Sequence, residues 1–113
     1  MVPEIRSSDL PLGAALLVQV SGPAQFTKTF NRLPIRIGRR ETNDVVLLHP
    51  PFSDGISRDH AQLCVRKGRV ILCDESSGLG VRVNGARIKE QALNGGDRIE
   101  IGPFRLEVSF TKT

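Results

Sequence analysis

Short runs in which hydrophobic and polar residues alternate recur along the chain, and turn-forming residues separate them. The clearest runs are residues 97–101 and 104–110, where every second side chain is apolar, as in a strand that buries one face. Turn signals recur about every 8–12 residues, a spacing typical of antiparallel sandwiches. The pattern therefore predicts an all-β sandwich of two sheets built from about ten short strands. The strands that we can delimit are residues 14–20, 25–30, 34–37, 44–48, 60–66, 69–73, 81–83, 97–101 and 104–110.

One hairpin can be aligned residue by residue from the sequence. A two-residue turn at Lys67-Gly68 pairs Arg66 with Arg69, and this register fixes which side chains share a face. Cys64 and Cys73 then form a diagonal pair about 7–8 Å apart. This separation is too long for an unstrained disulfide, so we predict two free thiols. The opposite face, which we expect to be buried, carries Leu63, Val65, Val70 and Leu72.

Composition narrows the choice of partners. The chain has 113 residues, enough for one domain, and 39% of them are hydrophobic, enough for a core. Five Phe are its only aromatic residues, so it lacks the stacking platforms of single-stranded nucleic-acid binders. The net charge of +4 suits phosphorylated or acidic partners. Because the basic residues are dispersed, we expect no nucleic acid to bind.

The organisation of the chain and its compartment follow from a few features. Residues 1–13 contain two Pro and two Ser, so we predict a flexible N-terminal arm followed by one domain at 14–113. No apolar stretch approaches the ~20 residues of a membrane span, and no basic leader precedes the first strand. With only two Cys, we expect a reducing, cytoplasmic setting without membrane contact. A module of this size is often part of a longer polypeptide.

Enzymatic and metal-binding sites are not indicated. Cys64 and His60 would lie about 13 Å apart along a strand, too far for proton transfer. Ser57 beside His60 lacks an orienting acid and an oxyanion site. Two His and two dispersed Cys do not have the spacing of metal ligands. We therefore predict no catalytic residues, no metal and no cofactor.

Polar residues that suit anion binding cluster at predicted strand ends and in loops. Arg39 follows Gly38 at a strand end and would project a guanidinium that can contact two phosphate oxygens. Ser57 offers a hydroxyl and a backbone N–H, and His60 can hydrogen-bond back to hold that loop. The alternative for Arg39 is an ion pair with a neighbouring acid, Glu41 or Asp44.

The order of four short motifs resembles the signature of forkhead-associated (FHA) domains over residues 18–110. The motifs are G-R, S-R-x-H-A, V-N-G and L-x-x-G-D-x-I-x-I-G, and they stand here at 38–39, 57–61, 83–85 and 93–102. The resemblance implies a sandwich of about eleven short, mostly antiparallel strands in two sheets, whose loops at one end bind phosphothreonine peptides. It assigns phosphate contact to Arg39, Ser57 and Arg58. It assigns support of the binding loops to Gly38, His60, Asn84 and Gly85.

This sequence departs from the family pattern before the V-N-G motif. FHA domains carry S-x-N-G-T there, with an Asn that contacts the peptide backbone, whereas this chain has Gly78 and Leu79. Leu79 has no side-chain donor or acceptor, so it either contacts a partner through apolar surface or fills the core. Two hypotheses follow. The domain binds threonine-phosphorylated proteins, or it is an FHA-fold scaffold that binds partners through a sheet face with weakened or lost phosphate dependence.

Overall fold

The computed structural model describes residues 14–76 and 78–112. Within those residues the chain forms eleven strands and no helix, which confirms the predicted all-β class. The proposed arm at 1–13 lies outside the described residues. The strands are β1 (Ala14–Ser21), β2 (Phe26–Phe30), β3 (Ile35–Gly38), β4 (Val45–Val46), β5 (Ala61–Arg66), β6 (Arg69–Asp74), β7 (Val81–Val83), β8 (Ala86–Ile88), β9 (Glu90–Ala92), β10 (Arg98–Ile101) and β11 (Phe104–Lys112).

The strands form two sheets. One sheet has six strands in the order β2-β1-β11-β10-β7-β8, and the other has five in the order β4-β3-β5-β6-β9. Neighbouring strands are antiparallel except β3 and β4, which run parallel with Ile37 beside Val45. The fold is thus the mostly antiparallel, two-sheet sandwich that the motifs implied.

A mostly aliphatic core, which also contains Phe104, lies between the sheets. Leu16, Val18 and Val108 of the larger sheet are fully buried, as are Ile37 and Leu72 of the smaller one. Each of these residues lies on the inward-pointing face of a strand in which buried and less buried residues alternate. Burial of this face explains why the period of two located most strands to within one or two residues.

The differences from the predicted strands have physical causes. The run predicted at 44–48 shortens to the two residues of β4, and the chain then enters a turn with prolines at 50 and 51. β8 and β9 had not been predicted individually. They have three residues each and no fully buried residue, so neither carries a hydrophobic alternation that a sequence pattern could show.

The β5–β6 hairpin has the predicted register. Arg66 pairs with Arg69 and Cys64 with Ile71, and the turn residue Lys67 has a φ of 53°. On the inward face Leu63, Val70 and Leu72 are buried, and Val65 packs partly buried against the core. Cys64 and Cys73 are free thiols, as predicted. Their Sγ atoms nevertheless lie only 3.6 Å apart, because the side chains turn toward each other across the diagonal.

Several strand ends meet at one end of the sandwich, which we call the loop end. The pairing of Ile37 with Ala61 and of Ala61 with Asp74 places the end of β3, the start of β5 and the end of β6 there. The start of β7 lies there too, because the carbonyl of Gly80 is 2.9 Å from the His60 side chain. The end of β10 accompanies it, because β7 and β10 pair antiparallel. The loop end therefore gathers residues 39–44, residues 47–60 and the connection between β6 and β7.

Candidate functional site

At the loop end, the segment after β3 is hydrogen-bonded to the segment before β5. The backbone N–H of Arg39 donates to the Ser57 carbonyl at 3.0 Å, and that of Arg40 donates to the Arg58 carbonyl at 3.2 Å. Gly38 makes this approach possible, because a Cβ at that position would overlap the Arg58 carbonyl oxygen. The motif glycine is therefore required by the close contact of two backbones.

Asn43 reinforces the same contact, and sequence reasoning missed it. Its side chain is only 7% exposed, and its Nδ2 group donates to the carbonyls of Arg40 at 3.0 Å and Arg58 at 2.7 Å. One amide thus joins the two segments that carry the arginines. No motif indicates this role, since Asn43 lies outside all four of them.

Three arginines converge on this framework. Arg39, Arg40 and Arg58 line a shallow cavity of about 350 Å³. The Nε of Arg39 donates to the Ile56 carbonyl at 3.0 Å, which fixes the guanidinium in place. Arg40 was not among the predicted site residues, although it follows Arg39 directly. Its Nη2 lies 3.5 Å from a carboxylate oxygen of Asp59, and both side chains are about half exposed.

The ion pair considered as an alternative for Arg39 does not form. Among the described residues, the Arg39 side chain contacts the Ile56 carbonyl and no carboxylate. The carboxylate of Asp44 instead accepts the backbone N–H of Arg36 at 2.8 Å, which supports the turn between β3 and β4. The guanidinium nitrogens of Arg39 other than Nε therefore remain available to an anion.

Ser57 lies beside the three arginines and lines the adjoining cavity of about 670 Å³, which Arg40 and Arg58 also line. Its backbone N–H is not available to a ligand, because it donates to His60 Nδ1 at 3.0 Å. The expectation that Ser57 offers both an N–H and a hydroxyl is corrected on this point. Its hydroxyl makes no hydrogen bond to any described residue and can donate to an anion.

His60 is fully buried and joins two parts of the loop end. Nδ1 accepts the Ser57 N–H, and Nε2 lies 2.9 Å from the Gly80 carbonyl, to which it donates. The backbone carbonyl of His60 also accepts the N–H of Glu75 at 2.9 Å. Because Nδ1 is an acceptor, the proton of the imidazole is on Nε2 and the ring is neutral. These hydrogen bonds join the loop before β5 to the connection between β6 and β7.

The connection between β6 and β7 carries the departure from the family motif. Gly78 is exposed, and its carbonyl accepts Arg87 Nη2 at 3.0 Å. Leu79 is 47% exposed, so the alternative that it fills the core is wrong. One side of Leu79 packs over Gly55 and Gly102. The other side faces solvent at the loop end.

The Asn84-Gly85 turn does not support these loops. Both residues have positive φ, 51° and 89°, as in a tight hairpin turn between β7 and β8. The turn lies at the other end of β7 from Gly80. The Asn84 side chain donates to Asp97 and accepts the Arg98 N–H, so it joins this hairpin to the start of β10. The predicted support of the binding loops by Asn84 and Gly85 is therefore corrected.

Two broader features bear on function. Over residues 14–76 and 78–112, no three His, Cys, Asp or Glu side chains come together in a group that could hold a metal ion. Nor does that part of the chain form a helix long and apolar enough to cross a membrane.

Comparison with known proteins agrees with this geometry. The sequence profile of the FHA domain matches residues 35–102. The chain belongs to the FHA domain family. An oxoglutarate dehydrogenase inhibitor of Corynebacterium efficiens is 34% identical over 101 residues, which cover 88% of this chain and 68% of that protein. Family members of this kind are interaction modules without enzymatic activity, so this FHA domain is not an enzyme.

Solved FHA structures superpose closely on this one. One, studied for its phosphothreonine-dependent interactions, aligns with a TM-score of 0.74 at 25% identity and covers 88% of this chain and 99% of that chain. EmbR of Mycobacterium tuberculosis, solved with a low-affinity phosphopeptide, aligns with a TM-score of 0.75 at 26% identity over 88% of this chain and 25% of EmbR. The FHA fold is therefore established for this protein.

Proposed function

We propose that this FHA domain binds phosphothreonine in protein partners at the cavity lined by Arg39, Arg40 and Arg58. The convergence of three guanidiniums beside the free hydroxyl of Ser57 is the observation that carries the proposal. A phosphate monoester has a charge of about −1.5 to −2 at neutral pH and three acceptor oxygens, which suits this donor set. The phosphothreonine-dependent interactions studied for a structural relative support the same ligand.

Each residue has a distinct part in the proposed site. Arg39 is held through Nε and presents its remaining N–H groups to the phosphate. Arg58 adds charge, and Ser57 donates its hydroxyl. Gly38 and His60 make no contact with the ligand and hold the two loops at the correct separation.

We further propose that apolar contact takes the place of the missing Asn. The large hydrophobic side chains that are exposed on the described surface are Leu48, Phe52 and Leu79, and all three belong to segments of the loop end. Leu79 lies beside Gly55 and Gly102, and Ile56 contacts Gly102 from the same side. Since Ile56 also accepts the Arg39 hydrogen bond, Leu79 lies close enough to the arginines to contact the same peptide. Gly78 is exposed beside it.

The scaffold hypothesis places the partner elsewhere. The outer face of the six-stranded sheet has an open cavity of about 830 Å³, whose lining includes Arg98, Glu100, Arg105 and Glu107. Charges of both signs alternate on this face, which suits a polar protein surface better than a phosphate. Phosphate-independent binding through this face is the competing function.

Titration of a degenerate phosphothreonine peptide library, with unphosphorylated peptides as controls, separates the two functions. We expect Arg39→Ala to weaken phosphopeptide binding by about 10- to 100-fold, the equivalent of ~1.5–3 kcal/mol for a charged hydrogen bond. Arg69→Ala is the matched control, because Arg69 hydrogen-bonds Asn94 at the end of β6 remote from the site. Equal binding of both peptide libraries by wild type and Arg39→Ala would exclude the phosphothreonine proposal.

We place this protein in the cytoplasm, where two free thiols remain reduced. The division into an arm at 1–13 and one domain at 14–113 is likewise our proposal. Limited proteolysis followed by mass determination tests this boundary, since an ordered domain should resist cleavage after residue 14.

A further inference from the structure

The two cysteines lie together on the outer face of the five-stranded sheet. Cys64 in β5 and Cys73 in β6 are both half-buried, and their Sγ atoms are in van der Waals contact at 3.6 Å. We propose that Cys64 and Cys73 form a reversible intramolecular disulfide when the protein meets hydrogen peroxide. This modification does not depend on phosphothreonine binding.

The geometry requires only a small movement. A disulfide joins two sulfurs at about 2.05 Å, so the Sγ atoms must approach by about 1.5 Å. Both side chains point away from the core, because the inward face of this hairpin carries Leu63 and Leu72. The sulfurs can therefore approach each other without displacing core residues. Because the two cysteines are not directly opposite each other, the disulfide would remain strained. We therefore expect reducing thiols to cleave it readily.

The chemistry assigns an order to the two thiols. Burial, together with a hydrogen bond to Cys64, raises the pKa of the Cys73 thiol to about 11. Cys73 is therefore protonated at neutral pH, and Cys64 is the sulfur that attacks the peroxide. Its thiolate breaks the O–O bond, becomes a sulfenic acid and releases the other oxygen as water. Cys73 then attacks the Cys64 sulfur, the S–O bond breaks and a second water leaves. Two thiols lose two hydrogen atoms, and one peroxide is reduced to two waters.

The position of the pair joins it to the loop end. β5 starts directly after His60, and β6 ends at Asp74, whose carboxylate accepts the backbone N–H of Ser76 at 2.8 Å and its hydroxyl at 2.7 Å. The N–H of Glu75 also donates to the His60 carbonyl. A bond between Cys64 and Cys73 would therefore cross-link the two strands from which these segments extend.

Intact-mass measurement of the folded protein tests the proposal. After treatment with an equimolar amount of hydrogen peroxide, we expect the monomer to lose the mass of two hydrogen atoms and both of its titratable thiols. Peptide mapping without reductant should join the Cys64 and Cys73 peptides, and dithiothreitol should restore both thiols. The matched variants Cys64→Ser and Cys73→Ser cannot form this bond, so each should instead gain oxygen or form dimers.

Three outcomes would overturn the proposal. They are retention of both thiols, oxygen addition to the wild-type protein without loss of hydrogen, and cross-linking only between molecules. Thermal unfolding of the serine variants verifies that they are folded. A sulfenic-acid probe should label Cys64 in the Cys73→Ser variant but not in the wild-type protein, where Cys73 consumes the intermediate. Equal labelling of both proteins would also contradict the proposed order.

Discussion

Replacement of His60 with alanine removes the side chain that joins the loops of the site. The ring is fully buried, accepts the Ser57 N–H at 3.0 Å and donates to the Gly80 carbonyl at 2.9 Å. Alanine can make neither bond, and the space that the ring leaves is enclosed by the core and the loops. The variant therefore loses two hydrogen bonds and gains a cavity.

The expected cost can be worked out from these losses. Each buried polar group left without a partner costs about 1–3 kcal/mol, and large-to-small replacement in a core adds a cavity term. Partial entry of water reduces the sum, so we expect His60→Ala to lower the free energy of unfolding by about 3–5 kcal/mol. Since small domains are stable by about 5–15 kcal/mol, the variant should unfold at a much lower denaturant concentration.

Urea denaturation of the variant and of the wild-type protein measures this cost. His49→Ala is the matched control, because His49 is exposed and only stacks on Phe52 with ring centroids 6.0 Å apart. We expect this control variant to lower the free energy of unfolding by less than about 1 kcal/mol. His60→Gln, which can keep one of the two hydrogen bonds, should fall between the two. If His60→Ala costs no more than His49→Ala, the imidazole does not hold the loops together and the reasoning fails.

Three further predictions concern the backbone contact, the altered motif and the thiol pair. Gly38→Ala should lower the free energy of unfolding, measured by urea denaturation, by more than about 2 kcal/mol, because the added Cβ would overlap the Arg58 carbonyl. At Gly85 an added Cβ would meet open space, so Gly85→Ala should lower the free energy of unfolding by only ~1 kcal/mol, the cost of the positive φ. Leu79→Asn, measured by calorimetry with a phosphothreonine peptide, should bind several-fold more weakly, because it loses the proposed apolar contact, worth about 1 kcal/mol. Alkylation of Cys73 should keep accelerating from pH 9 to about 11, because its pKa is raised from 9.0 to about 11.

The direction of each result matters for its interpretation. If Gly38→Ala and Gly85→Ala lower the free energy of unfolding equally, the end of β3 can move away from the Arg58 carbonyl and the contact is not tight. Tighter binding by Leu79→Asn would contradict the proposed apolar contact at Leu79. For Cys73 the folded-state pKa is the higher one, so its contribution to stability is complete below pH 9 and is lost as pH rises toward 11. An alkylation rate that levels off near pH 9 would contradict the raised pKa.

The sequence by itself determined the class of fold and much of its detail. Side chains of a strand alternate between two faces, so the apolar face of each long strand was visible as a period of two. The Lys67-Gly68 turn fixed the register of β5 and β6, because a two-residue hairpin allows one pairing. The family resemblance likewise assigned Arg39 and Ser57 to one site, and the structure joins their backbones by a hydrogen bond.

Only the tertiary structure decided which polar groups meet at the loop end. Arg40 reaches the site, Asn43 joins two loops, and the N–H of Ser57 is already occupied by His60. Leu79 proved exposed and Asn84 distant from the site, although both stand in or near family motifs. The physical reason is common to these cases. The burial pattern along a strand is a local property, which the alternation of side chains records. Hydrogen bonds between loops instead depend on how segments far apart in the chain are brought together. Side-chain periodicity does not encode this arrangement.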